Sequence, residues 1–279
     1  MACFNPSLYL FTVGWNVLRA QSLRPAFTAL ATATAAVFCF LSASPAEARS
    51  SAGALPRIEL PTRFAQCPQF FAHAQPPQVA QQPPLRELCY EAFAVLHSGA
   101  THTPVFVAQR LNRRLVEDAD EKRATRFFAD ARLPRNERAE LEDYKGSGYS
   151  RGHMAPVGDM PTPTAMAQSF SLANMVPQNI QHNGGAWAKI EQDTRRYALR
   201  AQGDVYVITG PVFTSESERI GPGGVRGPAY LYKLVYDATA GRAWAHWQAN
   251  QEGERVSRPI SYAKVVRRTG IEFLPGRAQ

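Results

Sequence analysis

The stretch Ser150-Arg151-Gly152-His153-Met154-Ala155-Pro156 decides how this chain is read. Its histidine follows a glycine, which lets the backbone turn tightly, and precedes a proline that fixes the exit. Asn183 lies thirty residues after His153, and Glu191 and Arg195 follow on one downstream segment. Together these supply a base, a hard metal ligand, a second carboxylate and fixed positive charge. That is the equipment for cutting a phosphodiester with one divalent cation. Order and spacing carry the reading, since a lone histidine is more often a core or surface residue.

Phosphodiester hydrolysis makes three demands. Water must lose a proton, the phosphorane-like transition state must be relieved of negative charge, and the leaving oxygen must be stabilised. A neutral imidazole, with an ordinary pKa near 6.5, meets the first, and His153 is the candidate. A hard cation with oxygen ligands meets the other two. The amide oxygen of Asn183 suits Mg²⁺ that keeps most of its waters. The same asparagine, followed by Gly184-Gly185, also reads as a helix N-cap, and both roles can hold. Steps of four residues drift by only about 40° on a helix, so Asn183, Glu191 and Arg195 can share one broad face. Glu191 would hold metal waters and Arg195 would clamp a phosphate oxygen. The plainer reading of that pair is an i,i+4 surface ion pair. Arg151 either stabilises transition-state charge or orders its loop. Arg123 or Arg126 offers a further phosphate contact, against the alternative of a solvated charged face.

Outward from the motif, Leu88–His97 and Val105–Leu111 read as strands around a turn at Ser98-Gly99. Arg135–Tyr144 reads as a charged helical turn and Thr162–Ser171 as a short helix. Ala186–Arg200 is a strong amphipathic helix, with Trp187, Ile190, Thr194, Tyr197 and Ala198 recurring at three- and four-residue steps. Asp204–Gly210 reads as a buried strand and 214–228 as a Gly-rich loop. Ala229–Ala238 and Arg242–Asn250 alternate like paired strands, and Ile260–Arg268 reads as a short helix. Strands and helices mix without regular βαβ alternation, which predicts an α+β fold.

The run Tyr144 to Pro156 resembles the signature of the DNA/RNA non-specific endonucleases, the ββα-metal (His-Me finger) enzymes of the Serratia nuclease and endonuclease G kind. The resemblance continues through Phe170–Gln178 (FSLANMVPQ), Asn183–Glu191 (NGGAWAKIE), Arg195 and Thr209-Gly210-Pro211. It implies a central, antiparallel-rich sheet flanked by helices. It implies His153 as general base and Asn183 as the single direct protein ligand to Mg²⁺, with Mn²⁺ able to substitute. It also implies water-mediated metal support from Glu191, a phosphate contact from Arg195, and a geometric role for Asn174. DNA and RNA, cut with little sequence preference to 5′-phosphate products, are the implied substrates, and homodimers are common in the family. The commonest form of the motif begins with Asp, where this chain has Ser150. No helix-turn-helix or zinc-finger spacing is present, so binding should be phosphate-directed and salt-sensitive. A non-catalytic extracellular nucleic-acid binder is the rival reading, but it has no use for His153, Asn183 and Glu191 together. A zinc hydrolase fails for want of an H-x-x-x-H pattern.

The chain of 279 residues carries a net charge of +8, which favours polyanionic partners. Residues 1–46 contain no Asp or Glu, and an apolar run from Ala26 to Leu41 precedes Ala46-Glu47-Ala48. This reads as a secretory signal over 1–48, cut after Ala48, giving a periplasmic or secreted protein without stable membrane association. An uncleaved membrane anchor is the main alternative, though the run is a little short for a spanning helix. A mitochondrial transit segment would share the lack of acids, but this run is apolar throughout rather than amphipathic. Removing 1–48 takes away Arg19, Arg24 and Glu47 and leaves +7. Cys67 and Cys89 then remain and are expected to pair in an oxidising compartment. The expected organisation is a Pro/Gln-rich lead over 49–104, packed on a nuclease domain over 105–279.

Overall fold

The computed structural model describes residues 63–80 and 84–275, so the expected leader over 1–48 lies outside the described residues. In chain order the strands are β1 (Leu85–Cys89), β2 (Ala94–Ser98), β3 (Thr103–Leu111), β4 (Tyr149–His153), β5 (Met175–Asn179) and β6 (Val205–Val212). They continue with β7 (Arg219–Ile220), β8 (Val225–Arg226), β9 (Tyr230–Asp237), β10 (Arg242–Ala249) and β11 (Ile260–Ser261). The α-helices are α1 (Arg113–Glu117), α2 (Leu141–Tyr144), α3 (Pro163–Ser169), α4 (Ile180–His182), α5 (Ala188–Ala198) and α6 (Tyr262–Thr269). Among the described residues no helix is long and apolar enough to cross a membrane.

A seven-stranded sheet in the order β1-β2-β3-β6-β9-β10-β11 is antiparallel throughout. Period-two alternation assigns its side chains to two faces. Phe106, Ala108, Ile208, Tyr232 and Leu234 meet Phe64, Phe70, Phe71 and Val79 of the lead, with Val265 of α6 and Phe273 of the tail. On the opposite face Val107 and Leu231 meet Trp187, Ile190, Met154, Met166 and Phe170. The result is three layers with the sheet in the middle, an α+β fold. The β4–β5 pair and α5 share the second face, where Met154, next to the motif histidine, and Val176 of β5 join Ile190 of α5 in one core cluster.

The Cys67–Cys89 bridge is formed and ties the lead to β1. Both oxygens of the Glu87 carboxylate add to this tie, accepting from Arg63 N and Phe64 N at 2.7 Å each. β1 and β2 fall within 49–104 yet pair onto β3 in the same sheet. The run expected as one strand over Leu88–His97 is broken by a turn, in which Tyr90 N donates to Phe93 O at 2.9 Å. The Tyr90 and Phe93 rings stack across it at 4.3 Å, so two aromatics that suit a strand here close a hairpin. The Gly-rich loop carries the small β7–β8 hairpin, turned by Gly221 and Gly224 at φ 66° and 70°. The helix expected near Thr162 is α3, capped by the Thr162 side chain accepting from Ala165 N at 3.0 Å, with Pro163 opening its first turn.

Candidate active site

β4 delivers the motif. Its register pairs Gly152 with Val176 and His153 with Met175 of β5. A Cβ at Gly152 would overlap the fully buried Gln178 side chain, so glycine is required for the two strands to approach. Ser150 Oγ donates to the carbonyl of its cross-strand partner Gln178 at 2.9 Å. A serine thus locks this hairpin through a donor that an ionised aspartate lacks. Beyond His153 the chain is held by Asn174. Its Oδ1 accepts from Ala155 N, and its Nδ2 donates to Ala155 O and Ser169 O, each at 2.9 Å. Asn174 therefore fixes the loop leaving the histidine.

His153 is 9% exposed and packs edge-on against Phe170 at 5.1 Å, with Phe127 tilted at 5.8 Å. Its Nε2 is buried without a hydrogen-bond partner. Burial, then the positive charges of Arg123 and Arg151, push its pKa down to about 3. The ring is therefore neutral across the physiological range. The Arg151 guanidinium lies 4.0 Å over Phe127, and that of Arg123 lies 5.3 Å over Phe170. The walls that bury the histidine also seat two cations beside it.

Asn183 lines a cavity of about 530 Å³ with Arg123, Phe127, Ser150 and Arg151. Of the two arginines left open by the sequence, Arg123 reaches this cavity. The helix begins before Asn183. Asn179 is the N-cap, its side chain accepting from His182 N at 3.0 Å, and Asn183 is helical at φ −59° and ψ −50°. Relieved of the capping role, Asn183 opens a π turn, Asn183–Trp187, that runs directly into α5. A π turn inserts one extra residue. The eight steps from Asn183 to Glu191 thus act as about seven, which closes their angular offset from roughly 80° to roughly 20°. The two side chains share one helix face, about two turns apart.

Glu191 and Arg195 do not form the surface pair that their spacing allows. Arg195 Nη1 donates to Asp159 Oδ1 at 3.0 Å, and Asp159 is 4% exposed. Lys233, 1% exposed, donates to Thr209 Oγ1 at 2.8 Å and lies 5.5 Å over the Trp187 ring. Burial raises the Glu191 pKa to about 7, with Asp159 adding to the rise and Lys233 and Arg195 opposing it. The predicted residues therefore fall into two adjoining groups. Arg151 and Asn183 line the cavity, with His153 against its Phe127 wall, while Glu191 and Arg195 belong to a partly buried charge cluster on α5. Asp159, Lys233, Phe127 and Phe170 escaped the sequence reading. Lys233 had a signal, because it stands in phase with the apolar Leu231 and Val235 on one strand face.

The donor set suits a hard cation that keeps its waters. Among the described residues no group of three or more His, Cys, Asp or Glu is placed to hold a metal, and Asn183, whose amide oxygen is chemically suited to such a cation, lines the cavity.

A family model described as DNA/RNA non-specific endonuclease matches residues 76–279. The chain is 36% identical over 157 residues to Nuclease EXOG, mitochondrial, of Xenopus laevis, covering 52% of this chain and 44% of that protein. It is 38% identical over 158 residues to Nuclease C1 of Cunninghamella echinulata var. echinulata, covering 52% and 62%. It is 29% identical over 164 residues to Endonuclease G, mitochondrial, of Homo sapiens, covering 54% and 55%. The matched stretch thus spans less than two thirds of each relative. A solved structure of the EndoG/EndoGI complex superposes with a TM-score of 0.63 at 23% identity, covering 76% of this chain and 91% of that one, and shows the fold. These names also bring a correction. Relatives called mitochondrial overturn the expectation of a periplasmic or secreted protein. The lack of acids is common to both kinds of targeting segment, and the apolar character of Ala26–Leu41, weighed for export, did not decide between them.

Proposed function

We propose a mechanism from one premise: the chain belongs to the DNA/RNA non-specific endonuclease family. The proposed activity is hydrolysis of phosphodiester bonds in DNA and RNA, with little sequence preference and 5′-phosphate products. The observation that carries it is the buried, neutral His153 held between two arginine-bearing aromatic walls beside the Asn183 cavity. His153 takes the proton of the attacking water. Nδ1 is assigned to that step, because Nε2 is buried without a partner. Arg151, with Arg123 beside it, meets the scissile phosphate, and Arg195 neutralises charge from the α5 side. Asn183 would hold Mg²⁺, or Mn²⁺ in its place, and the ion would supply positive charge for the transition state and the leaving 3′ oxygen. Glu191 would support the waters of such an ion. The catalytic domain is taken as 105–279, with the lead contributing β1 and β2 to its sheet edge.

Supercoiled plasmid incubated with the full chain in Mg²⁺, and in EDTA, tests this reading beside His153→Ala. Metal-dependent smearing that falls about 10² to 10⁴-fold in the variant is expected, the usual worth of a general base. Retarded but intact plasmid in every lane would sink the reading and leave a non-catalytic binder.

A further inference from the structure

The cluster beneath α5 contains an acid that the proposed mechanism does not use. Asp159 closes a single turn, Val157–Asp159, six residues after His153, where its own N–H donates to Pro156 O at 3.0 Å. Its side chain crosses to another element, with Oδ1 accepting from Arg195 Nη1 at 3.0 Å and Oδ2 accepting from Gln109 Nε2 of β3 at 3.4 Å. Gly158 completes the seat. A Cβ there would lie 3.0 Å from Cζ and Nη1 of Arg195, so the guanidinium packs flat on this glycine.

We infer that Asp159 is a positioning residue for the proposed cleavage: it sets the Arg195 guanidinium in a fixed pose relative to the segment that carries His153. This rests on the nuclease reading. Two features separate the role from that of an ordinary buried ion pair. First, Arg195 stays 23% exposed, and among the described residues its Nε and Nη2 take no protein partner. A forked donor anchored at one tip and open at the others is suited to an anion arriving from outside. Second, the tie joins the two elements whose spacing matters most, the exit of β4 with the base and α5 with the phosphate clamp. Burial raises the Asp159 pKa, and the positive charges of Arg195 and Lys233, which face the same cluster, oppose that rise.

The test is a double-mutant cycle on the full chain, reading initial rates on fluorogenic duplex DNA in Mg²⁺ together with the melting temperature of each protein. Asp159→Asn keeps the shape and removes the charge. In the wild-type background it is expected to lower kcat/KM by about 10²-fold, the scale of a displacement of about 1 Å in a reacting geometry. In the Arg195→Ala background the same change is expected to cost no more than about twofold in kcat/KM, and to leave the melting temperature unchanged or raise it, because Asp159 has already lost its partner. Equal losses in both backgrounds, or wild-type rates for Asp159→Asn, would overturn the inference. Should Asp159→Asn fail to fold, Asp159→Glu enters the same cycle, where its longer arm must again cost activity only when Arg195 is present. No cleavage by the wild-type chain would overturn the nuclease reading and this inference with it. Cleavage with additive variants overturns the inference alone.

Discussion

Replacing His153 by Asn gives a quantitative test of how the base is held. In the unfolded chain a histidine titrates near 6.5, whereas folded His153 is pushed down to about 3 by burial and by Arg123 and Arg151. Between these values the unfolded state binds the proton and the folded state does not. The stability tied to His153 is therefore fully present above pH 6.5 and is lost as pH falls towards 3. From pH 7 to pH 4 that loss integrates to about 3 kcal/mol at 1.36 kcal/mol per unit of pH. His97 and His246, both held near 4, add acid losses of their own, but these are common to the two proteins and cancel. Urea unfolding at pH 7 and pH 4, followed by tryptophan fluorescence, gives the four free energies. The wild-type chain is expected to lose about 3 kcal/mol more than His153→Asn on acidification. Equal losses would mean that folded His153 titrates like a free histidine, and the account of a dry, cation-flanked base would be wrong.

Three further outcomes follow from the geometry. Gly152→Ala should cost at least about 2 kcal/mol, because the buried Gln178 cannot swing clear of the new Cβ, and thermal melts will show it. For Asp130, burial alone would raise the pKa, yet hydrogen bonds from Arg132 and Tyr90 hold it near 2. Asp130→Ala should therefore cost about 2 kcal/mol at pH 7, a figure kept modest because Arg132 is half exposed, and the deficit should shrink as pH falls from 4 through 2. Arg151→Gln should lower the slope of log affinity against log salt by about 1 in DNA binding measured with EDTA, and an unchanged slope would remove Arg151 from the phosphate contacts.

Much of the architecture was legible because two periodicities dominate it. Alternation in Ala229–Ala238 and Arg242–Asn250 located β9 and β10, and the three- and four-residue recurrence of Trp187, Ile190, Thr194 and Ala198 located α5. The break at Tyr90–Phe93 was not legible, because stacking of two aromatics across a turn leaves the same apolar signature as a continuous strand. The pairing of β4 with β5 was hidden for another reason. It depends on the close approach at Gly152, and Arg151 and Ser150 interrupt any apolar alternation. Phe127 and Phe170 lie far from the motif in sequence, and no local pattern announces that they enclose His153.

The helix with Asn183 shows where spacing arguments fail in kind. Counting at 100° per residue puts Asn183 about 80° from Glu191, which tolerates a shared face without requiring one. The π turn at Asn183–Trp187 removes most of that offset. A π turn is set by how the chain meets its surroundings, here by Asn179 capping one turn earlier than Asn183 and by Trp187, fully buried, taking its place on the sheet. Gly184 and Gly185 leave open space where side chains would stand, so the wider turn crowds nothing. The same logic applies to Arg195. Its partner on an isolated helix would be Glu191, but Asp159 is presented by a separate segment and accepts the bond at 3.0 Å. Local sequence fixes which groups are present, and packing between β4, the turn after it and α5 decides which of them meet. A substitution that straightened the π turn would therefore be expected to rotate Asn183 away from Glu191 while leaving every proposed site residue in the sequence.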